Sequence, residues 1–168
     1  MSTNQIIALC AIVQVVSLIV VGVVSDGFAR HVLQTAPTWI AMTAAVHGAG
    51  WTKWAAIPVF LFWILIALFI WLFLLGVAKI LTGTYGPAEI AMTIIFATAG
   101  AIGIGASLRQ VSGIPVWGGL LIFVVVVTLQ VGVMMISLRY PISNDTTLIA
   151  WLQDHGMIAG RGSAPTKP

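Results

Sequence analysis

The stretch that decides the fold is VWGGLLIFVVVVTLQVGVMMISL, residues 116–138. It holds no charged residue, and a helix of this length crosses a hydrocarbon core of about 30 Å. Three further stretches share both properties: residues 5–24, 55–78 and 90–108. Because lipid offers no hydrogen-bond partner, each stretch must pair its backbone amides internally, as a helix does. The sequence therefore predicts an all-α, polytopic membrane protein with four transmembrane helices.

The composition excludes several classes of protein. Of the 168 residues, 60% are hydrophobic and 7% are charged, whereas a soluble domain carries roughly 25% charged residues. The net charge of +3 is spread along the chain and forms no basic patch, so nucleic acid is not an expected partner. Cys10 is the single cysteine, which excludes a disulfide scaffold.

The polar stretches predict the remaining organisation. Residues 1–142 form one transmembrane domain, and about 38–46, after Pro37 and before Gly48, form a short interfacial helix. Residues 143–155 form a second interfacial, amphipathic helix, and residues 156–168 are a disordered tail rich in glycine, serine and proline.

The distribution of lysine and arginine predicts the orientation. Four crossings place both termini on one side. That side holds four basic residues and the other holds three: Lys79, Arg139, Arg161 and Lys167 against Arg30, Lys53 and Arg109. The excess predicts cytoplasmic termini in a bacterial inner membrane.

Residues able to carry out chemistry are missing from the spans. None holds an ionisable acid, base or histidine, the groups that mark proton-coupled carriers and membrane-embedded enzymes. The HExxH, GxSxG and P-loop motifs do not occur in the sequence. We therefore expect no catalytic residue, no metal site and no required cofactor.

Residues suited to helix packing are concentrated in the third span. Two rows of small residues recur at every fourth position, with Gly100 between them: Ala97, Ala101 and Gly105, and Ala99, Gly103 and Ser107. Such rows let another helix approach closely. They either pack within the chain or receive a helix of another subunit.

Four more residues are candidates for packing. Gln14 and Gln130 lie at similar depths in the first and fourth spans, where a hydrogen bond between their amides would join the two helices. Trp63 and Trp71 lie too deep in the second span for an interfacial belt and need a packing partner or lipid.

His47, Trp51 and Trp54 form the one candidate for cofactor binding. A neutral imidazole ligates the magnesium of a bacteriochlorophyll or a haem iron, and flat aromatic side chains suit a quinone or a lipid. These three residues are where a pigment or quinone would be held under the alternative that the chain binds one.

Together these features favour a non-catalytic accessory subunit of a larger inner-membrane complex, with a respiratory or photosynthetic electron-transfer assembly as host. Its partners would be larger integral membrane subunits and membrane lipids. Two alternatives remain: a small homo-oligomeric channel or transporter component, and a pigment- or quinone-binding subunit.

Overall fold

The computed structural model describes residues 1–78 and 85–139, which contain helices and no strands. The helices are α1 (Thr3–Val24), α2 (Phe28–Gln34), α3 (Ala36–Val46), α4 (Thr52–Leu74), α5 (Pro87–Arg109) and α6 (Val116–Ser137). Helices α1, α4, α5 and α6 are long and apolar enough to span a membrane, which confirms the all-α class and the four predicted spans. The predicted helix at 143–155 and the predicted disordered tail at 156–168 lie outside the described residues.

Local chemistry explains where the long helices begin and end. The Ser2 hydroxyl accepts a hydrogen bond from the Gln5 backbone N–H, and the Gln5 side chain accepts one from the Ser2 N–H, so a capping box starts α1. Pro87 occupies the first turn of α5, where no N–H is needed. Helix α4 ends at Leu74, four residues before the predicted end, because Gly76 adopts a left-handed φ of +71°.

The connection between α1 and α4 folds back along α1. Near the end of α1, Gly22 packs against His31 of α2, so closely that a Cβ atom on Gly22 would lie 2.8 Å from the His31 Cβ. At the other end, Ala45 of α3 shares a groove with Asn4 of α1. The 7-residue α2 and the 11-residue α3 are joined through Thr35. They retrace α1 over about 28 Å, close to the thickness of a hydrocarbon core.

Helix α3 contains the short helix predicted at 38–46, in a different environment from the expected one. Its large side chains Trp39 and Val46 are exposed, and its buried side consists mainly of small residues: Pro37, Thr38, Ala41, Ala44 and Ala45. Small side chains allow close backbone approach, and α3 packs between α1 and α4. It is an element of the bundle and does not lie across its end.

This path decides which loops share an end of the bundle. One end holds Asn4, Gly50 and Gly113, and we call it the glycine end. At the opposite end, which we call the charged end, α1, α4 and α6 finish, α5 begins, and Arg30 and Glu89 line a common cavity. The chain therefore starts at the glycine end, and α6 finishes at the charged end. The four crossings predicted from the sequence would instead have placed the start of the chain and the end of the fourth span on the same side of the membrane.

Helices α1 and α4 each pack against three other helices of the bundle. Helix α4 contacts α3, α5 and α6, whereas α1 contacts α2, α3 and α5. Within residues 1–78 and 85–139, neither α5 with α6 nor α1 with α6 forms a closely packed pair. Much of the surface of α6 is therefore left uncovered by the residues that the structure describes.

Candidate functional site

The first row of small residues on α5 faces inward. Ala99, Gly103 and Ser107 are all buried. The ring of Phe60 on α4 occupies the space that a Cβ atom on Gly103 would need, and a Cβ on Gly100 would lie 3.1 Å from Ile64 Cγ1. These glycines bring α5 close to α4, so this row packs within the chain.

The second row faces outward. Ala101 and Gly105 are exposed, Ala97 is half-buried, and no atom lies within 4 Å of a Cβ placed on Gly105. The same side of α5 carries further exposed residues. We call this surface the open face of α5, defined as Ile94, Thr98, Ala101, Gly105 and Leu108. The two roles left open by the sequence are thus divided between the rows: the first packs inside the bundle, whereas Ala101 and Gly105 of the second are left exposed by the described residues.

The two candidate glutamines are buried but do not bond to each other. Gln14 is 0% exposed, and neither of its amide atoms has a hydrogen-bond partner within residues 1–78 and 85–139; Gln130 is 1% exposed, and its Oε1 also lacks a partner there. The predicted bond does not form because α1 packs against α3 and α5, whereas α6 packs against α4 and α2. A buried polar group without a partner costs about 1–3 kcal/mol.

The two candidate tryptophans of α4 differ in environment. Trp63 is buried and makes edge contacts with Phe62 and Phe96, at centroid distances of 5.5 and 5.9 Å. Its Nε1 has no hydrogen-bond partner among the described residues. Trp71 is half-buried, two turns closer to the charged end.

His47, Trp51 and Trp54 do not form a single site. His47 and Trp51 line an open groove of about 370 Å³ on the outer side of α3. Trp54 lies elsewhere, because its Nε1 donates to Ser112 Oγ at 3.0 Å and its ring covers Gly119. In the part of the chain that the structure describes, no three His, Cys, Asp or Glu side chains are grouped to hold a metal ion.

The structure reveals a cavity that the sequence analysis missed. It has a volume of about 300 Å³, extends inward from the charged end and is bounded by α1, α2, α4, α5 and α6. Apolar side chains form its inner wall: Leu18, Trp63, Ile66, Phe96 and Met134. Polar side chains line it from α2 and from the start of α5: Arg30, His31, Gln34, Tyr85 and Glu89.

Hydrogen bonds fix the polar side chains around this cavity. Gln34 Nε2 donates to Ser137 Oγ at 2.8 Å and ties α2 to α6. His31 Nδ1 lies 2.7 Å from the Gly27 carbonyl oxygen, to which it donates. Glu89 Oε2 accepts from the Gly86 backbone N–H at 2.6 Å, which caps α5.

Tyr85, at the mouth of the cavity, has a raised pKa. Burial raises the pKa of Tyr85 above its ordinary value, the Glu89 carboxylate raises it further, and Arg30 opposes the shift. The hydroxyl therefore stays protonated at neutral pH and remains a hydrogen-bond donor.

The cavity was missed because its polar residues come from segments far apart in the sequence. One local signal exists. Arg30 and Gln34 are four residues apart, so they share a face of a helix. Because the chain holds so few charged residues, a polar face of this kind indicates a polar surface inside the protein. Only the retracing path of α2 and α3 brings that face to the charged end, where Tyr85 and Glu89 line the same cavity.

No protein-family model, no curated protein and no solved structure matches this chain.

Proposed function

We propose that this chain is a non-catalytic accessory subunit of a larger membrane complex, with an electron-transfer assembly of a bacterial inner membrane as its host. The observation that carries the proposal is the open face of α5. Its centre is made of Thr98, Ala101 and Gly105, which are exposed, while large apolar residues lie at its two ends.

The physical argument rests on how helices associate in lipid. Lipid tails are as apolar as leucine, so association depends on close van der Waals contact, which small residues permit. The inward row of α5 packs in this way, because Gly103 leaves room for the ring of Phe60. The open face presents a shallow surface of the same kind on the opposite side of α5, suited to a helix of a partner subunit.

We further propose that the chain crosses the membrane five times, with α2 and α3 as one interrupted crossing. Irregular backbone at membrane depth is tolerated where protein covers it, and α3 is covered by α1 and α4. The N-terminus and the end of α6 then face opposite sides.

Five crossings also strengthen the charge asymmetry. Two basic residues, Lys53 and Arg109, belong to the glycine end. Five belong to the charged end or follow a helix that finishes there: Arg30, Lys79, Arg139, Arg161 and Lys167. The positive-inside rule places the charged end in the cytoplasm.

Gentle purification of a tagged protein from its native membranes, followed by native mass spectrometry, tests the docking proposal. We expect larger subunits to copurify with the wild type. Ala101→Leu and Gly105→Leu should reduce that copurification at least tenfold, because a leucine fills the small-residue surface, while the unfolding temperature stays unchanged. Ala101→Ser keeps the side chain small and should retain the partner.

Gly103→Leu provides the internal control, since it should destabilise the fold through Phe60 without acting on the open face. Undiminished copurification of Ala101→Leu and Gly105→Leu would contradict docking through α5. A wild type that purifies only with copies of itself would overturn the accessory role in favour of a channel or transporter component, which flux measurements in liposomes would then test.

A further inference from the structure

The cavity at the charged end leads to an inference beyond docking. Glu89 stands at its outer part and Phe96 at its inner part, seven residues apart on α5. That spacing corresponds to a depth of about 10 Å along the helix. Both residues line one volume of about 300 Å³, at the lower end of the range of ligand sites. This size suits one or two fused rings and excludes a macrocyclic pigment.

The inner wall favours a flat ligand. Trp63 and Phe96 stand edge to face, with centroids 5.9 Å apart and planes at 72°. Aromatic side chains contact flat rings over a large area and with defined geometry. Leu18 and Ile66 complete an apolar wall beside them.

The buried indole of Trp63 adds a chemical requirement. Its side chain is 2% exposed and lines the cavity, and Nε1 has no hydrogen-bond partner among the described residues. An indole N–H only donates. A ligand that satisfies it must therefore carry an acceptor oxygen in its inner, apolar part, which neither a hydrocarbon nor an acyl chain supplies.

The outer part of the cavity also presents donors. Arg30 and Tyr85, whose side chains carry donor groups, line it. Glu89 lies beside them, with one carboxylate oxygen engaged by the Gly86 N–H. Donors at the inner and outer ends match a ring with acceptor oxygens on opposite sides.

We propose that this cavity binds a flat, apolar ring bearing carbonyl oxygens at opposite positions, the chemistry of a quinone. Trp63 donates to the inner carbonyl oxygen, and Arg30 or Tyr85 donates to the outer one. The sequence placed the candidate quinone contact at His47, Trp51 and Trp54, of which His47 and Trp51 line the outer groove of α3; the geometry favours the cavity at the charged end.

Equilibrium binding to the purified full-length protein in nanodiscs tests this proposal, with protein-free nanodiscs as background. The probes are 2-methyl-1,4-naphthoquinone, 2-methylnaphthalene and decanoic acid. We expect saturable binding of the quinone at one per chain, and several-fold weaker binding of the hydrocarbon. Trp63→Phe should weaken quinone binding roughly two- to twelvefold, the range of one neutral hydrogen bond, and leave the hydrocarbon unaffected.

Two further variants keep the test decisive. Trp71→Phe removes an indole outside the cavity and should leave all binding unchanged, whereas Ile66→Trp narrows the cavity and should weaken binding of every probe. Fluorine NMR of 5-fluorotryptophan-labelled protein should show the Trp63 resonance moving with the quinone while Trp71 stays fixed. Equal affinity for quinone and hydrocarbon, tighter binding of decanoic acid, or no saturable binding would each overturn the proposal. None of these results bears on copurification, so the docking proposal stands or fails separately.

Discussion

At the glycine end the loops meet backbone to backbone, whereas at the charged end the helix ends surround a cavity. Gly113 N–H donates to the Gly50 carbonyl at 2.9 Å, and a Cβ on Gly50 would lie 2.8 Å from Gly113 Cα. Asn4 accepts from Gln110 Nε2 at 2.6 Å, which joins α1 to the end of α5. The charged end has ties of its own, such as Gln34 to Ser137, but the side chains of Arg30 and Tyr85 line open volume.

This difference shows how one bundle separates stability from recognition. At the glycine end, Gly50 and Gly113 let two loops approach closely enough for a backbone hydrogen bond. At the charged end, Arg30 and Tyr85 border a cavity large enough to hold a ligand. The two ends should therefore differ in the side of the membrane that they face, in the cost of substituting their glycines and in the electrostatics of their side chains.

The largest expected effect is on labelling from the two sides of the membrane. In a Cys10→Ala background, cysteines at Ser2 and Arg139 should react with a membrane-impermeant maleimide from opposite sides, because five crossings separate them. A cysteine at Arg109, at the glycine end, should react from the same side as Ser2. Labelling of Ser2 and Arg139 positions from one side would show that α2 and α3 do not cross.

The second effect is on stability at the glycine end. Gly113→Ala should lower the free energy of unfolding by about 1–3 kcal/mol, because its Cβ would lie 3.0 Å from the Gly50 backbone, which cannot move aside easily. Gly118→Ala is the matched control, since its nearest neighbour would be a side-chain atom of Ile114 at 3.8 Å. Denaturant titration in micelles measures both, and equal losses would show that the Gly50–Gly113 contact does not constrain this end.

The smallest effect is electrostatic and belongs to the charged end. Tyr85 and Tyr140 are the only tyrosines, so absorbance titration of Tyr140→Phe follows Tyr85 alone. Burial and Glu89 raise the pKa of Tyr85, against the influence of Arg30. Glu89→Gln should therefore lower this pKa, and Arg30→Gln should raise it.

The sign of the linked stability follows from the raised pKa. A group with a folded pKa above its ordinary value favours folding below about pH 10. That contribution is lost as the pH rises through the raised pKa. Shifts of the Tyr85 titration in the same direction in both variants would contradict the placement of these three side chains around one mouth.

The sequence predicted the long helices closely and the site poorly. Hydropathy predicted α6 from its first residue. Helix α4 ends earlier than predicted because a single glycine, Gly76, adopts a left-handed conformation. Helix α2 was missed because it is short and carries Arg30 and His31, which lower its hydropathy. The packing of α3 was also missed. Large apolar side chains were expected to mark the buried side of this helix, whereas small residues form it.

The rows on α5 show the same limit. Ala101 and Gly103 belong to rows with the same spacing and similar residue size, yet one faces outward and the other receives Phe60. Nothing in the spacing distinguishes them, because the environment of a helix face depends on which neighbour covers it. Likewise, similar depth in the membrane did not bring Gln14 and Gln130 together, since α1 and α6 have different neighbours.

The sequence by itself determined that this protein is helical and that four of its segments can span a membrane, since burial in lipid forces uncharged stretches of this length to pair their own backbone. Only the tertiary structure decided that α2 and α3 retrace α1, and hence which loops share an end and which polar residues surround the cavity. The reason is physical: hydrogen bonding within a helix is local in sequence, whereas contacts such as Gly22 with His31 and Gly103 with Phe60 depend on the packing of whole helices.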